Sequence, residues 1–151
     1  MKRFVWRLQR VLDIKTKEEQ MKKAELVKLT EKLANVRSEL STQKRILDNL
    51  IEDITKESAK TRLGKQEFFL KRSQINNDVI EKLKEKVSKL ESARRRKSDE
   101  LLKVKRFREG LEKLQVEAKT QFIKEQERLG QKDADETATI SFVRKQMQAK
   151  G

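Results

Sequence analysis

Apolar residues recur along the first third of the chain at alternating steps of three and four residues. The run begins at Leu26 and ends at Ile54, and a single position within it is polar: Leu26, Leu29, Leu33, Val36, Leu40, Gln43, Leu47, Leu50 and Ile54. The same register continues upstream through Leu12 and Leu8 to Val5. Heptad spacing of this kind places one narrow apolar seam along a helix, and such a seam needs a partner helix to cover it.

A second heptad series follows, introduced by Phe68, Phe69 and Ile75. Its positions are Ile80, Leu83, Val87, Leu90, Arg94, Lys97, Leu101, Val104, Arg108, Leu111, Gln115, Ala118, Phe122, Glu125 and Leu129. The stretch 58–66 between the two series has no seam and contains Gly64, the first glycine of the chain. Glycine readily ends helices, and the chain has no proline to break them elsewhere.

These patterns predict an all-α fold in which two long helices form an antiparallel coiled-coil hairpin. We expect a single domain over 1–151, with helix one at about 2–58, the turn at about 58–66 and helix two at about 66–148. Helix two then overhangs helix one. Both seams are covered within one chain, so we expect a monomer in isolation.

The expected register follows from the position of the turn. A turn centred near residue 63 places residue i opposite about residue 126 − i, so Val5 faces the neighbourhood of Phe122. Residues after about 124 have no partner within the chain on the same arithmetic. This end of helix two is expected either to bind a groove of another protein or to fray.

The same register sets polar seam positions against apolar ones. Lys15, Glu19 and Lys22 face Leu111, Phe107 and Val104 in turn. One interpretation is that the long polar side chains cover the apolar ones with their methylene stems. The other is a partner-binding site around Phe107, Leu111 and Leu114.

Phe68 and Phe69 are adjacent, which limits how many of them the seam can bury. Neighbouring residues on a helix point about 100° apart, so both rings cannot lie in one narrow seam. We expect at least one of them to be exposed and available to another protein.

The composition excludes most enzyme chemistry. The chain has 151 residues, 42% of them charged, with no Cys and no His. These absences remove disulfides, thiolate and imidazole metal ligands, and the commonest general base. The four glycines are isolated, so no phosphate-binding loop is present. We predict that the protein is not an enzyme and uses no cofactor and no metal.

The net charge of +14 implies an acidic partner: nucleic acid, an anionic membrane surface or an acidic protein surface. The densest stretch, RRRKSDELLKVKRFR at 94–108, holds 8 basic and 2 acidic residues. It is either a basic helix that lies along nucleic-acid phosphates or a solvated face of a coiled coil. Seam positions run through it and it lacks base-reading Asn, so we favour the solvated face and expect no specific nucleic acid.

No membrane span or secretory signal is expected from the sequence. No run approaches the roughly 20 apolar residues that a membrane-spanning helix needs. The opening, MKRFVWRLQRVLDIK, lacks a signal-type apolar core. Phe4 and Trp6 among arginines favour the start of the coiled coil, with an amphipathic helix on a membrane surface as the alternative.

Several segments of the chain, in order, carry a resemblance to a known family. They are FVWRLQRVLDIK from Phe4, the aromatic and apolar residues Phe68, Phe69, Ile75 and Val79, LEKL from Leu111, and QERLGQKDADE from Gln126. Together they resemble the flagellar type III export family FliJ over nearly the whole chain. Gly130 departs from the family pattern, in which Glu usually precedes the Gln-Lys pair, and predicts a softer helix at that point.

The resemblance implies the central stalk of a hexameric export ATPase, as part of flagellum biogenesis and motility. It further implies contact with the cytoplasmic domain of the export gate, escort of export chaperones, and a bacterial cytoplasmic protein peripheral to the inner membrane. The residues to which it assigns ATPase binding are Phe4, Leu8, Val11, Leu12, Phe122, Arg128, Gln131, Lys132, Asp135 and Glu136. Those to which it assigns gate binding are Phe68, Phe69, Ile75 and Val79.

Two other functions remain open at this point. The stalk proteins of virulence-type (injectisome) secretion systems share the layout, and a basic coiled coil can also bind nucleic acid. The flagellar assignment is preferred because of the LQRVLD opening and the QKDADE close.

Overall fold

A computed structural model describes residues 2–56 and 59–150. It contains two helices, α1 (Gln9–Thr55) and α2 (Ala59–Lys150), and no strand within these two ranges. The helices pack against each other, which confirms the predicted all-α helical hairpin.

On α1, the least exposed side chains are those of the predicted ladder. Leu33 is 1% exposed and Leu12 and Val36 are buried, while the other ladder positions from Leu8 to Ile54 are buried or half-buried. The polar residues at the same heptad positions also lie in the seam, and one of them, Glu19, is buried. The 3.5-residue period therefore predicts this face of α1 even where the residues are polar.

The seam of α2 runs from Phe69 to Gln126. Ile80, Val104 and Leu111 are its buried apolar residues. Three positions of the predicted second ladder are wrong, because Arg94, Glu125 and Leu129 are exposed. Ala93 takes the half-buried place near Arg94, since its methyl group loses no hydration in the seam whereas a guanidinium would.

The chain divides into two compact units. The terminal unit comprises Met1–Glu18 and Val104–Gly151, and the inner unit comprises Glu19–Lys103. In the terminal unit the two chain segments run antiparallel. Phe4 pairs with Phe122 and Gln9 with Gln115, and Lys15 lies over Phe107.

The inner unit is also antiparallel, and ion pairs join its helices. Lys22 Nζ lies 3.0 Å from Glu100 Oε2, and Lys97 Nζ lies 2.6 Å from Glu25 Oε2. Hydrogen bonds from these ammonium groups lower the pKa of Glu25 and of Glu100, and the bond to Glu25 raises the pKa of Lys97. The charged groups are partly exposed, so they fix the register of the helices more than they add to stability.

The first helix begins later than predicted. The sequence pattern placed its start near residue 2, but α1 begins at Gln9 and residues 2–6 have no regular structure. Lys2, Arg3 and Arg7 would stand in the first turns, where the positive end of the helix dipole disfavours cations. Residues 2–6, here named the N-terminal segment, are therefore not part of α1, and the coiled coil starts with Gln9.

The predicted turn is wrong for residues 59–66, which are helical; its first residue, Ser58, lies outside the described residues. Gly64 does not end a helix, because its φ is not positive and α2 continues through it. α1 ends at Thr55, followed by a turn at Lys56. A single glycine within a helix costs about 1 kcal/mol relative to Ala, which neighbouring structure can offset.

The register expected from the sequence holds to within about a helical turn in each unit. Phe4, rather than Val5, packs on Phe122, and Val5 is exposed. Lys15 lies over Phe107 rather than Leu111, and Lys22 pairs with Glu100 rather than facing Val104. The Phe4–Phe122 contact fits residue i opposite 126 − i, whereas the Lys15 and Lys22 contacts are displaced from it by about four residues, or one helical turn.

Candidate protein-binding faces

The N-terminal segment is held on α2 by an aromatic contact. The Phe4 and Phe122 ring centroids lie 5.4 Å apart with the rings tilted by 54°. Such tilted pairs contribute about 0.5–1.5 kcal/mol beyond their buried area. Behind them, Gln115 Nε2 donates a hydrogen bond to Gln9 Oε1 at 2.6 Å. The opening of the chain is thus anchored although it is not helical.

The four predicted binding residues at the start of the chain, Phe4, Leu8, Val11 and Leu12, differ in accessibility. Phe4 and Leu8 are half-buried, Val11 is exposed, and Leu12 is buried. Leu12 accordingly packs the seam of α1. Val11 and the free edges of the Phe4 and Phe122 rings remain accessible at this end of the terminal unit.

The proposed partner site around Phe107, Leu111 and Leu114 is wrong for Leu111, which is buried. The Lys15 ammonium lies 5.1 Å from the centroid of the Phe107 ring. A cation over an aromatic face is favourable, and the lysine stem covers apolar area. The long side chain of Lys15 therefore covers part of the Phe107 ring, as the first interpretation predicts. This ring and Leu114 stay partly exposed.

The last six turns of α2 carry the remaining residues assigned to the ATPase. Residues 127–150, here named the overhang, are exposed at every position. Five of the predicted residues line one shallow surface of the overhang together with Thr139 and Ile140: Arg128, Gln131, Lys132, Asp135 and Glu136. Arg128 is paired with Glu125, which lowers the pKa of that carboxyl, and Gln131 donates to Asp135.

A groove of about 740 Å³ lies beside this surface. It is lined by Lys2 from the N-terminal segment and by residues of α2 from Phe122 to Asp133. Ile123 and Leu129 give it apolar walls, and Gly130 leaves its floor open, with no atom within 4 Å of the place a Cβ would take. The groove joins the N-terminal segment to the start of the overhang.

Sequence reasoning missed an apolar seam on the overhang. Starting from Phe122, heptad steps lead to Gln126, Leu129, Asp133, Glu136, Ile140, Val143 and Met147. The half-buried face of α2, which ends at Gln126, therefore continues in register through the overhang, where every position from 127 to 150 is exposed. Ile140 is 55% exposed and Met147 72%. The heptad spacing itself was the signal, hidden by the acidic residues at its middle.

The residues assigned to the export gate lie near the start of α2 in the inner unit. Phe68 is 60% exposed, Ile75 and Val79 are exposed, and Phe69 is half-buried. Phe68, Ile75 and Val79 recur at steps of seven and four, so they share one side of α2, here named the tip face. The Arg72 guanidinium lies 5.9 Å from the Phe68 centroid on this side.

Metal sites and membrane-spanning helices are both absent from residues 2–56 and 59–150. Neither range contains a group of three or more acidic, His or Cys side chains that could hold a metal ion. No helix in the same ranges is long and apolar enough to cross a membrane. The candidate sites are exposed helical faces suited to contact with proteins.

Fold and faces together define a helical-hairpin protein with exposed apolar faces. The family profile described as flagellar FliJ protein matches residues 3–147, and the chain belongs to this family. It is accordingly a component of the flagellar protein export apparatus. Comparisons with curated proteins and with solved structures gave no match.

Proposed function

We propose that this chain is the non-enzymatic stalk of the export apparatus, which inserts its terminal unit into the hexameric export ATPase and stimulates it. The observation that carries the proposal is the uncovered seam of the overhang. An apolar helical stripe with Leu129, Ile140, Val143 and Met147 fits the helix-in-groove mode of protein recognition.

The N-terminal segment also supports the terminal unit as the part of the protein that binds the ATPase. Phe4 and Phe122 hold it beside the start of the overhang, within the terminal unit. A ring that surrounds this end would contact the accessible Val11, the groove beside Gly130 and the surface around Arg128 together. Leu8 and Leu12 contribute by fixing α1 on α2.

The sharpest test replaces exposed seam residues of the overhang. Ile140→Asp with Val143→Asp should reduce stimulation of the purified export ATPase at least tenfold, because two apolar anchors become charged. Ala138→Asp with Ser141→Asp is the matched control, since it adds the same charge on the opposite side of the same helix. The control should retain most of the stimulation.

Removal of residues 131–151 is the coarser form of the experiment. The truncated protein should lose stimulation and retain the packed α1–α2 part, which circular dichroism reports. Equal stimulation by the seam variant, its control and the truncation would exclude the overhang as the ATPase-binding element.

We further propose that the tip face binds the cytoplasmic domain of the export gate and that the protein escorts export chaperones. Phe68, Ile75 and Val79 support the gate contact, because exposed aromatic and aliphatic side chains on one side are typical interface anchors. With these partners the protein acts in the bacterial cytoplasm, peripheral to the inner membrane, with no cofactor.

A further inference from the structure

The basic stretch 94–108 has no role in the ATPase and gate contacts. Two of its cations are engaged within the chain: Lys97 with Glu25 and Glu100, and Arg108 with Glu112. Arg94, Arg95 and Arg96 are exposed and form no ion pair within the described residues. Three adjacent guanidinium groups without a carboxylate partner are free to bind an external anion.

Two of the three arginines converge with a third from the other helix. Arg94, Arg95 and Ser98 of α2 line a groove of about 340 Å³ together with Glu91 and with Arg37 of α1. Arg37 Nη2 donates to Glu91 Oε1 at 2.7 Å, which bridges the two helices. We name this feature the arginine groove. All of it lies in the inner unit.

The packing of the helices explains why the groove exists. Between Leu90 and Lys97 the seam of α2 is filled by the small Ala93, and Arg94 lies outside it. The heptad pattern would have put Arg94 in the seam. Its guanidinium instead keeps its hydration at the edge, beside Arg95 on the next position of the helix.

The charge of the groove suits a phosphate group, which carries one or two negative charges. Its lining has three guanidinium groups and one carboxylate, and Glu91 is already bonded to Arg37. Asp99 lies one turn beyond Arg95 on the same helix, and the two make no ion pair within the described residues. Guanidinium groups bind phosphate through two parallel hydrogen bonds, and the Ser98 hydroxyl can donate another.

We propose that the arginine groove binds a phosphate group, carried either by a phospholipid headgroup or by a soluble phosphate. The proposal does not depend on the ATPase or gate contacts, because none of its residues belongs to those faces. A solvated coiled-coil face predicts that each basic residue contributes equally. The groove predicts that Arg94 and Arg95 contribute far more than their neighbours.

The experiment uses the full chain and three variants. Arg94→Ala with Arg95→Ala removes two charges from the groove. Arg96→Ala with Lys103→Ala removes two charges from exposed positions of the same helix that do not line it. Arg94→Lys with Arg95→Lys keeps the charge and removes the two-pronged hydrogen bonding. Circular dichroism checks that all three remain folded.

Binding is measured with two probes at constant ionic strength. Inorganic phosphate is titrated by NMR of the arginine side chains, and vesicles of phosphatidylglycerol, with phosphatidylcholine vesicles as the blank, are tested by co-sedimentation. The alanine groove variant should bind at least tenfold more weakly, the lysine variant severalfold more weakly, and the off-groove control within about twofold of the parent protein.

The two probes separate the two sources of the phosphate. Groove-dependent binding of vesicles but not of inorganic phosphate identifies a lipid headgroup, whereas groove-dependent binding of inorganic phosphate identifies a soluble ligand. Equal weakening in the groove variant and the off-groove control would overturn the proposal in favour of diffuse electrostatics. Absence of binding to both probes would overturn it as well.

Discussion

At the scale of single residues, the seam of this protein tolerates polar side chains wherever a partner or a stem covers them. Lys15 lies over an aromatic ring, and Lys22 reaches a carboxylate on the other helix. Asn76 differs, because it is buried and its Nδ2 has no hydrogen-bond partner within residues 2–56 and 59–150. An unpaired amide at a seam position costs stability.

Phe68 and Phe69 are neighbours with different surroundings, so their substitutions should separate binding from stability. Phe68→Ala should weaken binding to the gate domain at least tenfold with little change in melting temperature, because the ring is mostly exposed. Phe69→Ala should lower the melting temperature, since its ring is half-buried in the seam.

Gate binding is measured by titration calorimetry and stability by thermal unfolding. ATPase stimulation serves as the control and should be normal in Phe68→Ala, since that face lies outside the terminal unit. A parallel loss of both activities in Phe68→Ala would show that the ring belongs to the core.

At the scale of the elements, the period of the apolar residues predicted the helices and their buried faces well. Every ladder position of α1 from Leu8 to Ile54 is buried or half-buried, as the 3.5-residue period requires. The helix ends were predicted poorly. A glycine within a sequence indicates a helix end only when its backbone adopts a left-handed conformation, and Gly64 does not.

The binding faces were predicted in part. Heptad spacing and resemblance identified the tip face and one surface of the overhang as candidates. They missed the arginine groove, because its formation depends on Arg37 of the other helix, which no spacing along α2 reveals. The seam of the overhang was missed because Asp133 and Glu136 interrupt its apolar residues.

Gly110 and Gly130 allow one substitution to be tested in packed and in unsupported parts of α2. Apart from the nearby backbone of the helix itself, neither has an atom within 4 Å of an added Cβ, so alanine fits at both. Gly110→Ala should stabilise the packed part by about 1 kcal/mol and raise the melting temperature by about 2–4 °C. Gly130→Ala should raise the helical circular-dichroism signal and leave the melting temperature unchanged, because every residue of the overhang is exposed.

Thermal unfolding followed by circular dichroism and by calorimetry distinguishes the two outcomes. An equal rise in melting temperature for both variants would mean that the overhang unfolds together with the packed seam, contrary to the exposure of its side chains.

At the scale of the whole molecule, one chain covers the seams of both helices up to Gln126, and the overhang remains. Its seam has Asp133 and Glu136 at the centre. A second copy aligned in parallel would bring these carboxylates together, and like charges at facing seam positions are repulsive. The acidic middle therefore disfavours a parallel dimer and leaves the apolar positions free for a different partner.

We therefore predict a monomer in isolation. Sedimentation equilibrium at neutral pH and moderate salt should give a mass near 17.9 kDa over a wide range of protein concentration. Asp133→Leu with Glu136→Leu should make the overhang self-associate, because it completes the apolar seam. A dimer of the unmodified chain that persists on dilution would contradict the prediction.

The continuity of α2 has a mechanical consequence. This helix runs from Ala59 to Lys150 without proline and without a residue of positive φ, so one ladder of backbone hydrogen bonds links its two ends. Sharp bends in helices occur at prolines, glycines or inserted groups, and α2 offers isolated glycines as its only such positions. Within the terminal unit, a torque applied to the overhang is therefore carried along α2 as torsion, and Gly110 and Gly130 are the positions at which a bend would take it up.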